Sequence, residues 1–363
     1  MNKDDFYNEL LNLAFSTYDA SSCDFRDHLK YILNRYLELL DELNTRQDYI
    51  DEIKMIKDVI ISAVNSYYRG RHSNAFNKIR ICINKYLLCD YSYLFVENYY
   101  RIRKFDEGEE PNRMDMFHIP FNKRTIVKTQ RYSAPGYPCL YLGTSAYVCW
   151  EEMGKPNLDQ CYFARFHKEE MMIQAFDFSF PTKARWTDEN FFIGELYRYP
   201  FVLASMVKVA KPEDPFKPEY IIPQLLMEYV IEESIKHKEY FGIFYTSVHR
   251  SKHFDFNPDI MRNLVLPTTP NLSKKDKYSD VLCKMFKVTD PTSDELERAK
   301  RPYEIIERDE KISDLEYSYR ISTFGQLEKR LEEFKLYEIK NSKYTSSVGK
   351  KAGKKKKSKT TSA

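Results

Sequence analysis

Residues 131–153 read RYSAPGYPCLYLGTSAYVCWEEM, and the fold of this chain is decided by how they are parsed. Ala134-Pro135-Gly136 is a turn signal: proline fixes φ and the following glycine takes the positive φ of a type II turn. CLYLG, residues 139–143, is an apolar and aromatic run between turn signals and predicts a short buried strand. Thr144 and Ser145 offer hydroxyls to cap a helix that begins just after them. On that helix Ala146, Cys149 and Met153 share one side, and Glu152 lies near the border of this face. Glu151 is rotated about 100° away. A carboxylate at the edge of a packed face is partly desolvated and suited to chemistry. The plainer alternative is that Glu151 and Glu152 are ordinary exposed helix acids.

The rest of the chain bounds what this turn–strand–helix unit can belong to. Its 363 residues allow two domains, and 42% apolar content is enough for real cores. Glycine is scarce against 29 tyrosines and 24 phenylalanines, which argues against a glycine-rich nucleotide loop. No run approaches eighteen apolar residues and the first residues, MNKDDFYNELL, lack the pattern of a secretory signal. Seven cysteines without a CxxC spacing predict reduced thiols in a cytoplasmic protein, with no disulfide framework and no metal site. The net charge is +3, but seven lysines lie between Lys350 and Lys359, so the remainder carries −4. The basic character belongs to the tail, and nucleic-acid binding does not follow from it.

Residues 1–90 predict a helical N-terminal domain. Phe25, Leu29, Ile32, Tyr36, Leu40 and Leu43 recur at helical spacing, then Ile50, Ile53, Ile56, Ile60, Ala63 and Tyr67. Ala75, Ile79, Ile83 and Leu87 follow the break at Gly70. With a short first helix this is a bundle of about four helices. From Tyr91 the texture becomes aromatic-rich strands with short helices, a second domain over 91–340. Strands are expected at 99–103, 161–166, 172–178, 241–247 and 262–267. Helices are expected at 189–204, 222–236, 293–301 and 323–338, and loops at 106–120 and 211–218. Residues 341–363 predict a disordered basic tail. Alternation within YYRIR puts Arg101 and Arg103 on one face of a strand, where two guanidinium forks suit a diphosphate. A solvated charged edge strand has the same pattern.

Three pieces, YYRIR around Arg101, RYSAPGY through CLYLGTSAYVCWEE, and FGIFYTS ending at Ser247, together resemble RES-domain proteins. The order of the pieces and two flanks, IPQLL before the third and RNLVLP after it, agree with that family over residues 91–270. The N-terminal helices resemble the HEPN-type helical domain found ahead of RES domains, without an Arg-x4–6-His nuclease motif. The resemblance implies an α+β fold: a helical bundle, then an ADP-ribosyltransferase-like mixed sheet that binds and cleaves NAD, its substrate cofactor. It makes Arg101 the arginine that holds the dinucleotide, Glu152 the catalytic glutamate and Ser247 the serine of the signature. Arg131 and Tyr132 correspond to an Arg-aromatic pair. The family has glycine before that arginine and this chain has Gln130, which bears on the geometry of the loop.

The chemistry implied is cleavage of the nicotinamide–ribose bond by phosphorolysis or hydrolysis. Glu152 would face the cationic ribose, with Arg101 on the diphosphate and Arg103 or Arg131 in support. Ser247 would hydrogen-bond NAD, and Tyr132 or Tyr245 would stack on nicotinamide. The expected biology is a bacterial toxin or defence effector in the cytoplasm, away from membranes. Inorganic phosphate, an antitoxin and a second copy of the chain are its expected partners. One alternative is a protein mono-ADP-ribosyltransferase using the same site. Another is an RNA- or protein-binding module with an inactive RES scaffold, its nucleic-acid contact resting on the Lys-rich tail.

Overall fold

The computed structural model describes residues 1–86, 91–93, 97–106, 108–169, 174–237, 241–249, 260–269, 276–304, 306, 308 and 312–342. The expected position of Leu87 and the Lys-rich segment 343–363 lie outside them, as do residues 172–173 of an expected strand. The architecture is α+β. Among the described residues nine strands form one mixed sheet. They are β1 (Tyr91–Tyr93), β2 (Asn98–Lys104), β3 (Cys139–Gly143), β4 (Cys161–Lys168), β5 (Gln174–Phe178), β6 (Phe241–Thr246), β7 (Arg262–Pro267), β8 (Phe286–Val288) and β9 (Tyr337–Glu338). Their spatial order is β1-β5-β6-β7-β3-β2-β4-β8-β9, and β5 and β6 run parallel while the other pairs are antiparallel.

Four helices precede the sheet: α1 (Lys3–Ala14), α2 (Phe25–Glu42), α3 (Gln47–Tyr68) and α4 (His72–Tyr86). Helix α2 starts where Asp24 accepts the Arg26 N–H, and it buries Phe25, Leu29, Ile32, Tyr36 and Leu40 as their spacing predicts. Next come α5 (Ala146–Glu152), α6 (Lys183–Thr187), α7 (Glu189–Met206) and α8 (Ile221–His237). Helices α7 and α8 lie between the sheet and α1–α4. Buried residues of the N-terminal helices, of α7 and α8, and of one sheet face form a single core. Tyr36 donates to Leu196 O at 3.0 Å and Tyr199 donates to Leu10 O at 2.6 Å. The change of texture near residue 90 therefore marks a change of secondary structure within one continuous core.

The last helices are α9 (Asp280–Met285), α10 (Asp294–Lys300), α11 (Asp314–Arg320) and α12 (Thr323–Glu333). The opposite sheet face packs Met116 and Phe117 with Leu282 and Met285 of α9, and a third cluster joins α5 and α12 to β2 and β4. Three expectations are corrected. The helix expected to reach residue 338 stops at Glu333, because Arg165 takes the carbonyls of Glu332 and Phe334 at 3.2 Å each, and Tyr337–Glu338 pairs with β8 instead. Residues 341 and 342, expected in the tail, are bonded to the fold: Asn341 bonds both backbone groups of Tyr278, and Ser342 O accepts the Lys277 N–H. Within 106–120, residues Arg113–Met116 form a 3-10 turn closed by a reciprocal Asn112–Asp115 capping box. Helix α9 and strand β8 carry no turn or cap signal strong enough to be read from sequence.

Candidate active site

The opening stretch folds as its chemistry dictates. Gly136 has φ +80° and the Tyr137 N–H reaches Ala134 O at 3.1 Å, closing the turn. Strand β3 follows, and Ser145 caps α5 by accepting the Val148 N–H at 3.0 Å. Strand and helix meet at Gly143, where an added Cβ would come within 2.5 Å of Val148 Cγ1 and 2.6 Å of Cys149 Sγ. Only glycine lets α5 lie this close to the strand.

Strands β6, β7, β3 and β2 are neighbours, and Tyr245, Asn263, Tyr141 and Arg101 come from them in that order to line one cavity of about 410 Å³. Glu152 at the end of α5, Arg131, Lys208 and Tyr220 complete its polar and aromatic wall, with His249 beside them. Its size is in the range of small-molecule sites. Strands β2 and β3 share one register pair, Tyr100 with Gly143. Just beyond it Arg101 reaches β3 by its side chain, donating to Tyr141 O at 3.3 Å. Burial, with the nearby positive charge of Arg103, pushes the Arg101 guanidinium down to about 9. It remains a cation at neutral pH, and among the described residues no carboxylate is paired with it.

The two adjacent glutamates have separate fates. Glu151 is fully buried: it accepts the Tyr147 hydroxyl and pairs with Lys155 Nζ at 3.0 Å. The reading of Glu151 as an exposed helix acid is thus corrected. Tyr147 and Lys155, four residues to either side of it in the chain, were the available signal. Glu152 is exposed, so the partial desolvation expected of it is not found; it stands at the open side of the cavity and accepts one hydrogen bond, from Asn263 Nδ2 at 3.0 Å. Its charge, after the larger effect of burial, raises the phenol pKa of Tyr245 and contributes to that of Tyr220.

The other sequence-predicted residues fall at different depths. Arg131 lines the cavity, stacks over Tyr220 at 5.2 Å, and donates to Ser205 O and Val207 O at 2.8 and 3.0 Å at the end of α7. Tyr132 sits behind the wall with its ring centroid 4.7 Å from that of Tyr245. Arg103 shares the strand with Arg101 but donates to Phe117 O at 2.9 Å and is not among the lining residues. Ser247 is fully buried one position behind Val248 and His249, and its Oγ accepts the His249 N–H at 3.2 Å. Gln130 fits without a positive φ: it closes a two-residue hairpin with Ser133, and its side chain accepts the Ser133 hydroxyl at 3.1 Å. The absence of a glycine there leaves the loop unstrained.

Sequence reasoning missed Asn263, Lys208, Tyr220 and Gln224. Gln224 donates to Thr129 Oγ1 and Gln130 O at 3.0 Å each, which ties the Arg131 loop to α8. A polar residue inside the apolar run IIPQLLM was its signal. Lys208 had none, since it lies in a stretch whose path is set by α7. Cys149 also lines the cavity, but burial pushes its thiol up to about 12 and its Sγ is bonded to Tyr100 O at 3.2 Å, so it is not an activated nucleophile. Among the described residues no group of three His, Cys, Asp or Glu is placed to hold a metal ion, and no helix is long and apolar enough to cross a membrane.

Fold and site together define an α+β protein with a tyrosine-lined cationic cavity that holds one carboxylate apart from its cations. The chain is similar to the Bacillus subtilis (strain 168) protein named "Putative toxin YopC", with 31% identity over 297 residues, 74% of this chain and 66% of that protein. It thus spans just under two thirds of that relative's length. No family model and no solved structure matches the chain.

Proposed function

We propose that this chain is a toxin that degrades NAD by cleaving its nicotinamide–ribose bond. The observation that carries the reading is the pairing of Arg101 and Glu152 in one tyrosine-lined cavity without an ion pair between them. A cation left without a counter-ion at the wall of a cavity suits an anionic ligand. NAD is anionic at its diphosphate and cationic at its nicotinamide ring, so it complements both groups. The toxin role rests on the similarity to the Bacillus subtilis relative and its printed name.

Each residue then has a role that follows from its chemistry. The nicotinamide nitrogen carries positive charge before cleavage, so the leaving group needs no proton. Bond breaking builds positive charge on the ribose, and a carboxylate held at the open side of the cavity stabilises it. Glu152 supplies that charge. Arg101 binds the diphosphate, and Arg131 and Lys208 add positive field at the same wall. Tyr245, backed by Tyr132, offers a ring face to nicotinamide. Ser247 acts from behind the wall by fixing the Val248–His249 backbone. Water, inorganic phosphate or a protein side chain can each accept the ADP-ribosyl group.

Chromatography of NAD incubated with the purified chain, with and without inorganic phosphate, tests the reading. Free nicotinamide is expected, and the second product names the acceptor: ADP-ribose for water, its 1-phosphate for phosphate, labelled protein for transfer. Intact NAD under every condition contradicts the proposal.

A further inference from the structure

The cavity carboxylate stands at the end of a helix of only seven residues, too short to hold a direction by itself. Its direction is set by attachments: its start is held by Arg262 O, Ile260 O and Glu328, and its end by Asn263, the residue after Arg262 on β7. At the start, Thr144 donates its N–H and its hydroxyl to Arg262 O, each at 3.0 Å. At the end, Glu152 accepts from Asn263 Nδ2 at 3.0 Å. Arg262 is itself anchored: Nη2 lies 2.9 Å from Asp177 Oδ2, Nε donates to Ser179 Oγ at 3.1 Å, and the guanidinium lies over Phe244 at 4.3 Å. Asn263 is buried and held in register between Tyr245 of β6 and Gly143 of β3.

We propose that Arg262-Asn263 is the positioning element of the site, and that Asn263 is the residue that aims Glu152. This rests on the reading of Glu152 as the group that faces the ribose. A carboxylate only accepts hydrogen bonds, so the Asn263 amide must turn its NH2 toward it. Among the described residues Asn263 is the sole hydrogen-bond partner of Glu152, which uses one oxygen and leaves the other to the ligand. A free glutamate side chain samples several rotamers, and a displacement of about 1 Å at a reacting centre costs on the order of 10²-fold in rate. One buried donor on a rigid strand removes that freedom.

Asn263→Ala and Asn263→Asp, each alone and combined with Glu152→Gln, test the proposal. Asn263→Ala should lower kcat about 10- to 100-fold with KM changed less than about threefold, because the dinucleotide is held elsewhere. Asn263→Asp keeps the size, sets like charges face to face, and should lose at least as much. In the Glu152→Gln background the Asn263→Ala loss should shrink to less than about threefold, since both changes act through one carboxylate. Amide hydrogen exchange of α5 supplies a readout that needs no turnover: residues 150–153 should exchange about tenfold faster in Asn263→Ala. Unchanged exchange, or kinetic losses that simply multiply in the double variant, overturns the positioning role. Faster exchange together with a wild-type chain that leaves NAD intact overturns the NAD reading alone.

Discussion

Two clusters of charge lie on opposite sides of Arg262-Asn263, and they are built on opposite principles. On one side Asp177, Glu195 and Arg198, all buried, and the half-buried Arg185 and Arg262 form a network in which each charge meets an opposite one. Arg262 meets Asp177 at 2.9 Å, Arg185 meets Glu195 at 2.6 Å, and Arg198 bonds both Glu195 and the carbonyls of Asp177 and Ser179. On the other side, in the cavity, Arg101 is satisfied by a carbonyl and Glu152 by an amide, although cation and anion line the same space. Paired charges neutralise each other and hold elements together. Charges that meet only neutral partners retain their field for a ligand.

The largest effect that separates the two clusters should come from Asp177→Asn. Burial alone would raise the Asp177 carboxyl, but Arg262 and Arg198 more than offset it and hold it down at about 2. A depressed carboxyl contributes stability above its unfolded value near 4 and loses it as pH falls through the folded value. Breaking this buried pairing should cost about 3–5 kcal/mol at pH 7. Urea melts should show the gap between wild type and variant closing as pH falls from about 4 toward 2. A gap that is constant with pH contradicts the pairing.

Next in size is Glu152→Gln, which keeps the Asn263 contact available and removes the charge. It should lower turnover about 10²-fold, close to 3 kcal/mol, with little loss of stability. Glu151→Gln, on the packed side of α5, should do the converse, lowering the melting temperature and sparing turnover. A turnover loss confined to Glu151→Gln would reverse the assignment. Arg101→Ala should weaken NAD binding about 10-fold or more, the worth of one charge-assisted contact, and by more than Ser247→Ala, whose hydroxyl serves a backbone N–H. Calorimetric titration with NAD compares the two directly.

The smallest effect concerns the start of α5. Glu328 accepts the Ala146 N–H and the Tyr319 hydroxyl, each at 2.5 Å, and burial pushes its carboxyl up to about 7. A carboxyl raised on folding contributes stability below its unfolded value, which is lost as pH rises through about 7. Glu328→Gln should therefore flatten the decline in stability between about pH 4.5 and 7, as read by thermal melts across that range. An unaltered pH profile would place the titration elsewhere.

What was legible in the sequence was local chemistry. Pro135-Gly136, the Ser145 cap and the spacing of Ala146 and Cys149 act within a few residues, and they gave a correct turn, strand and helix; Met153, read on the same packed side, follows the last helical residue and is exposed. Arg101 could be named from strand alternation, but the helical-border reading of the two glutamates was inverted, since Glu151 is the buried one and Glu152 the exposed one. What escaped reading depends on partners far along the chain. Asn263 meets Glu152 across 111 residues, and Arg165 ends α12 from 167 residues away. The burial of Ser247 and the diversion of Arg103 to Phe117 likewise follow from packing, which alternation within a strand does not specify. The helical bundle was visible from its periodicity, but its shared core with α7 and α8 was not, because an apolar face does not name the surface that covers it.

The most direct test of the account follows nicotinamide release and NAD binding together in wild type and Glu152→Gln. The account predicts that wild type releases nicotinamide, while the variant binds NAD with similar affinity and releases it about 10²-fold more slowly. Equal release by both proteins, or a variant that fails to bind NAD while keeping its fold, would contradict the claim that Glu152 stabilises the positive charge that builds on the ribose as nicotinamide departs.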